Sequence, residues 1–165
     1  MLKLELKDDA VLAALSRLAE GMEDMTQPMN RIGNHLVEST MGRFGAEISP
    51  EGAPWAARSP VTIARYLAAK PPAGFGGILH KTGQLGGEIK HEYGPDFVEV
   101  GSSRPYAAVM QFGAAQGAFG RTSRNGPIPW GDIPARPFIG LSEADETGIL
   151  EIVTEWLDGL AGNSP

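Results

Sequence analysis

A chain of 165 residues with 42% hydrophobic and 21% charged side chains fits one globular domain whose core needs no covalent staples. It has no cysteine, which excludes a disulfide framework and a thiolate metal site and suits a reducing cytoplasm. The formal charge of −6 is uneven: from Ser142 onward there are six acids and no Lys or Arg, and the remainder carries 14 of each sign. The basic stripe that phosphate neutralisation requires is absent.

The opening MLKLELKDD has acids by position 5 and no apolar h-region, so no signal peptide is expected. No apolar run approaches a membrane span, and a soluble intracellular product is expected. Leu2, Leu4 and Leu6 alternate with charged residues, the period of a short half-buried strand. Asp8 and Asp9 can cap a helix carrying Val11, Leu12, Leu15 and Leu18 that ends near Gly21. Thr26 with Pro28 starts a second helix, along which Met29, Ile32, Leu36, Met41 and Phe44 keep roughly helical spacing. His35 beside that stripe reads as packed or exposed rather than as a ligand.

The 22 glycines and 13 prolines make up about a fifth of the chain, so much of it must be loop. Residues 45–60 have no periodicity and one large apolar anchor, Trp55. A short helix over Val61–Ala69 is stopped by Pro71 and Pro72. Glu88–Tyr93 and Phe97–Gly101 alternate on either side of Gly94-Pro95-Asp96, which predicts a hairpin. Tyr106–Phe112 suits one or two helical turns, and residues 113–131 form a second long loop without periodicity. Pro134–Leu141 looks extended. Ser142 caps a last helix whose buried stripe is Ile149, Ile152, Val153, Trp156, Leu157 and Leu160, and whose acids line a solvated face. The class is α+β: a small antiparallel sheet against two or three helices, with long Gly/Pro-rich loops.

The stretch ILHKTGQLGGEI at 78–89 invites a phosphate-binding reading, which fails. A P-loop needs Lys and Ser/Thr directly after its last glycine, whereas Gly83 is followed by Gln84 and Leu85. The glycines are left with backbone geometry: a turn at Gly83, then Gly86 and Gly87 leading into the hairpin. His35, His80 and His91 share no metal-ligand spacing, and GLSEA at 140–144 lacks the second glycine of a nucleophile elbow. No cofactor and no catalytic or metal residue is indicated.

Five blocks occur in a telling order. They are Phe44…Pro50-Glu51-Gly52…Trp55…Thr62; Ile78 to Leu85; Val98 to Ser102; Tyr106-Ala107…Gln111-Phe112-Gly113; and Ile133 to Ser142. Over about residues 30–160 the chain resembles the tailed-bacteriophage virion morphogenesis family, the tail-completion or head–tail joining proteins. Met110, where relatives are expected to carry a polar residue, and the long insertion at 113–131 depart from the pattern. The resemblance implies one non-enzymatic domain spanning the chain. Such a protein forms a ring, expected to hold six copies, in the neck or at the tail end. Its partners would be itself and neighbouring neck and tail proteins, with genome DNA passing the ring unbound. It would work in the host cytoplasm during assembly and then in the virion, as a tail terminator, a stopper or a non-virion assembly factor. A small phage-encoded hydrolase is the alternative from another class.

Expected interaction residues are Trp55, Trp130, Arg136, Gly83, Tyr106, Gln111 and Phe112. The two tryptophans either anchor contacts with neighbours or fold back on the core. Arg136, held between Pro134 and Pro137, presents a planar fork to a carboxylate or to carbonyls. An acid within the chain is the default partner, a neighbouring subunit the sharper one.

Overall fold

The computed structural model describes residues 9–68, 76–80 and 82–162; the strand expected at Leu2–Leu6 lies outside them. In chain order the elements are α1 (Asp9–Glu23), α2 (Thr26–Ala46), α3 (Pro60–Ala68), β1 (Ile89–Tyr93), β2 (Val98–Ser102), α4 (Ala107–Phe112) and α5 (Glu143–Ala161). This is a small α+β fold. The strands form one antiparallel hairpin, with Tyr93 opposite Val98 and Ile89 opposite Ser102. Its turn closes with Gly94 N–H donating to the Phe97 carbonyl, 2.9 Å.

Helix α2 is the spine, because it packs on both strands on one side and on α5 on another. Its start is tied to the hairpin turn, where Met25 N–H donates to the Pro95 carbonyl at 3.0 Å. Asp24 accepts from the Thr26 hydroxyl and amide, bonds that hold its carboxyl below the usual range. The α2–β1 contact is close at Gly33, where a Cβ would stand 2.1 Å from the His91 ring. The His91 Nε2 lies 3.0 Å from Asn30 Oδ1 on the same helix.

Ile32 and Phe44 of the expected α2 stripe are buried, but Met41 is exposed. Five residues from Leu36 carry Met41 about 140° around the helix, off the buried face, and Thr40 takes the inward position. On α1 the apolar residues are also incompletely covered, with Leu12 and Leu15 exposed. The α5 stripe is half-buried throughout, facing α2 and α1. A capping box opens α5: Ser142 Oγ accepts from Asp145 N–H at 3.2 Å, and the Asp145 carboxylate accepts from Ser142 N–H at 2.8 Å.

The core is a small cluster of Phe44, Trp55, Leu85, Ile89, Ala107 and Phe138. Phe44 meets the Trp55 ring edge-on, centroids 5.4 Å apart, and the Phe138 ring at 5.1 Å. Gly86 brings backbone against the Phe44 face, since a Cβ there would lie 3.3 Å from the ring.

Residues 113–131, expected to lack structure of their own, form an internally bonded arm. At its base Ala114 and Ile133 exchange backbone hydrogen bonds of 2.9 and 2.7 Å. Further out, Phe119 N–H donates to the Ile128 carbonyl and Ile128 N–H to the Gly120 carbonyl, both 2.8 Å, and Arg121 bridges to Pro127 near the tip. The Ile128–Pro129 peptide is cis. Single bridges broken by glycines at positive φ (Gly113, Gly117, Gly120) leave no hydrophobic periodicity to read.

Candidate interaction surface

The Pro134–Leu141 segment crosses the core in extended form without joining a sheet, and polar side chains from three elements satisfy its backbone. From α4, Gln111 Oε1 accepts from Phe138 and Ile139 N–H at 2.9 and 3.0 Å, and its Nε2 donates to the Ile139 carbonyl at 2.8 Å. From α2, Arg43 donates to the Phe138 and Gly140 carbonyls at 3.1 and 2.9 Å. From the first loop, Trp55 Nε1 donates to the Pro137 carbonyl at 2.7 Å. Two prolines remove donors that a sheet would use, so the segment's pairing passes to side chains.

Arg136 is buried, and its fork goes to carbonyls. Nε donates to the Ala56 oxygen at 2.8 Å and an Nη to the Ala57 oxygen at 3.1 Å. The default expectation of an acidic partner is therefore corrected: the guanidinium pins the 45–60 loop by its backbone. Burial lowers the Arg136 pKa, and the nearby Arg58 charge adds to the effect. Arg58 itself donates to the Gly76 and Gly77 carbonyls and lies 5.7 Å from the centroid of the Tyr66 ring.

The main polar feature that the sequence reading missed is the buried pair of Arg43 and Asp145. Asp145 belongs to the acidic run assigned to a solvated face, yet it is only 1% exposed. Burial pushes its carboxyl up; hydrogen bonds from Ser39 and Ser142 and the Arg43 charge outweigh this and hold it below the usual range. The S-x-x-D spacing of Ser142 and Asp145 was the available signal, because a capping-box acid turns back toward its own helix start. His35 lies near the pair, with Nε2 3.7 Å from Asp145 Oδ1.

Beside the crossing segment lies an open groove of about 480 Å³, walled by α3, α4 and the segments 78–80 and 82–85. Tyr106 and Arg136 line it, with apolar floor from Leu79, Leu85, Met110 and Ile133. Gly83 sits in the turn at φ 68°, between the lining residues Thr82 and Leu85. The structure thus brings Trp55, Gln111 and Arg136 together on the crossing segment and Tyr106 and Arg136 in the groove. Phe112 and Trp130 stand apart, exposed by 78% and 77%. Trp55 took the fold-back option and Trp130 did not. With Phe119, also exposed, Trp130 leaves the arm with bare aromatic area. Among the described residues no group of three or more His, Asp or Glu could hold a metal ion, and no helix is long and apolar enough to cross a membrane.

The described residues thus make a small α+β core whose buried polar groups hold loops in place, while large aromatics stay in water. Residues 6–158 match the phage virion morphogenesis family, and the chain belongs to that family. It is similar to "Putative capsid assembly protein G" of Escherichia phage Mu, 34% identical over 121 residues covering 72% of this chain and 70% of that protein. It is also similar to Mu-like prophage FluMu G protein 2 of Haemophilus influenzae, 37% identical over 78 residues. That second match covers 47% of this chain and half of the relative. No solved structure matches.

Proposed function

We propose that this chain is a structural protein of the phage neck or tail end, working as a closed homomeric ring that completes the tail or joins head to tail. Six copies are the number the family resemblance suggests. The observation that carries the reading is the pairing of family membership with an arm that leaves Phe119 and Trp130 in water. Such area is covered most simply by a neighbouring subunit or by an adjoining neck or tail protein. In this reading the chain acts by contact and has no catalytic site. Genome DNA passes without specific binding, since a chain of charge −6 offers phosphates little attraction. The protein gathers in the host cytoplasm and ends in the virion.

The name of the Mu relative, a capsid assembly protein, favours a second reading: an assembly factor absent from the finished particle. Counting copies in purified particles by quantitative mass spectrometry separates the two. A ring protein is present at a fixed number above two per particle; an assembly factor is missing from particles and present in lysate. A single copy, or a two-fold dimer, would remove the ring.

A further inference from the structure

The arm and the last helix are opposite in charge. Residues 113–131 carry Arg121 and Arg124 and no acid, and neither arginine is in an ion pair among the described residues. Arg121 is held locally, donating to the Asn125 carbonyl at 3.0 Å, so its charge is uncompensated. Phe119 is 55% exposed beside these cations and Trp130 more so.

Helix α5 has six acids and no base. Arg43 takes Asp145 and Arg31 takes Glu155. Glu143, Glu146, Glu151 and Asp158 are left exposed and outside any ion pair among the described residues. Spacings of three, four and seven put Glu143, Glu146, Leu150, Glu151 and Asp158 on one outward face. At its middle Leu150 is 67% exposed, in a shallow depression of about 340 Å³ edged by Thr147, Glu151, Thr154 and Asp158. Both threonine hydroxyls donate to carbonyls of their own helix.

We propose that the arm docks on this face of α5 of a second copy of the chain, Trp130 or Phe119 seated over Leu150, with Arg121 and Arg124 facing Glu151 and Asp158. The inference rests on the ring reading and names its contact. No hydrogen bond or ion pair among the described residues joins arm to α5 within the chain. The two patches are different parts of one surface, so in a ring the contact runs head-to-tail and repeats around an axis. Arginine forks fit carboxylates in planar pairs, and a pre-bonded arm has little conformational freedom left to lose. A basic, aromatic arm also suits nucleic acid, but two arginines on a chain of charge −6 supply too few phosphate contacts for that.

The test uses the full chain, with native mass spectrometry and sedimentation reporting assembly and circular dichroism reporting folding. Arg121→Glu with Arg124→Glu, and separately Glu151→Lys with Asp158→Lys, should each keep the fold and weaken self-association by about tenfold or more. Mixing the two variants should restore it, because each reversed patch meets its opposite on the other chain. Wild-type assembly matched by both variants would overturn this contact and leave the ring standing. A wild-type chain that stays monomeric at every concentration would overturn both. Duplex DNA binding lost with the arm reversal, without any change in assembly, would assign the arm to nucleic acid instead.

Discussion

Arg43 at the end of α2 and Asp145 in the first turn of α5 form an ion pair closed off from water, their side chains 6% and 2% exposed. The same guanidinium donates to the Phe138 and Gly140 carbonyls, so one side chain joins two helices and the crossing segment. Removing it strands a buried carboxylate. Arg43→Ala should cost about 3–5 kcal/mol of stability, measured by urea unfolding. A loss under about 1 kcal/mol would mean that water replaces the guanidinium without penalty.

Acid should weaken the fold through the same pair. The folded Asp145 pKa lies below its ordinary value, so the unfolded state binds more protons and stability rises with pH. Its contribution is complete above roughly pH 4–5 and is lost as pH falls through the lowered folded value. Asp145→Asn should flatten that acid limb, to be checked by unfolding free energies from pH 2 to pH 7. An unchanged slope would show that other carboxylates set the acid response.

Trp55 contributes to stability in two ways, by apolar burial against Phe44 and by its N–H bond to the Pro137 carbonyl. Trp55→Phe keeps most of the area and loses the donor, for an expected cost of about 1–3 kcal/mol. Trp55→Ala should cost about 3–5 kcal/mol. Equal losses in thermal unfolding would show that the hydrogen bond carries the whole effect.

Arg136 spans the Ala56 and Ala57 carbonyls, which a lysine cannot bridge with one point charge. Arg136→Ala should raise hydrogen exchange across residues 47–59 and, under the proposed function, reduce particle yield more than monomer stability. Arg136→Lys should recover part of both. Normal exchange and normal yield in the alanine variant would remove Arg136 from any organising role.

Trp130 is the counterpart to Trp55, because among the described residues it stays exposed. Trp130→Ala should leave unfolding free energy within about 0.5 kcal/mol of wild type, as for an ordinary surface change. Assembly into particles should fall sharply, as when an interface anchor is truncated. A large stability loss with unaffected assembly would make the indole an element of the arm's own fold.

The hairpin, the α2 and α5 boundaries and the Ser142 cap were legible because each depends on neighbours within about four positions in the chain. Gly83 was legible for the same reason, as a turn at positive φ. Met41 was misplaced because a stripe of loosely helical spacings conceals a five-residue step, and angle around the helix decides burial. The arm escaped notice because its backbone and side-chain hydrogen bonds leave no hydrophobic periodicity in the sequence.

By itself the sequence determined the class, the element order among the described residues, the family resemblance and the failure of the phosphate and metal patterns. The class, the element order and the failed patterns follow from local periodicity, spacing or residue type, and the resemblance rests on five blocks of residues in order. Only the tertiary structure decided which acid is buried, which tryptophan lies in the core and what Arg136 holds. Those outcomes depend on contacts between residues 80 to 102 positions apart, such as Arg136 with Ala56, Trp55 with Pro137 and Arg43 with Asp145. Charge and size are written in the chain, but the partner that desolvates them is chosen when α2, α5 and the first loop close on the crossing segment.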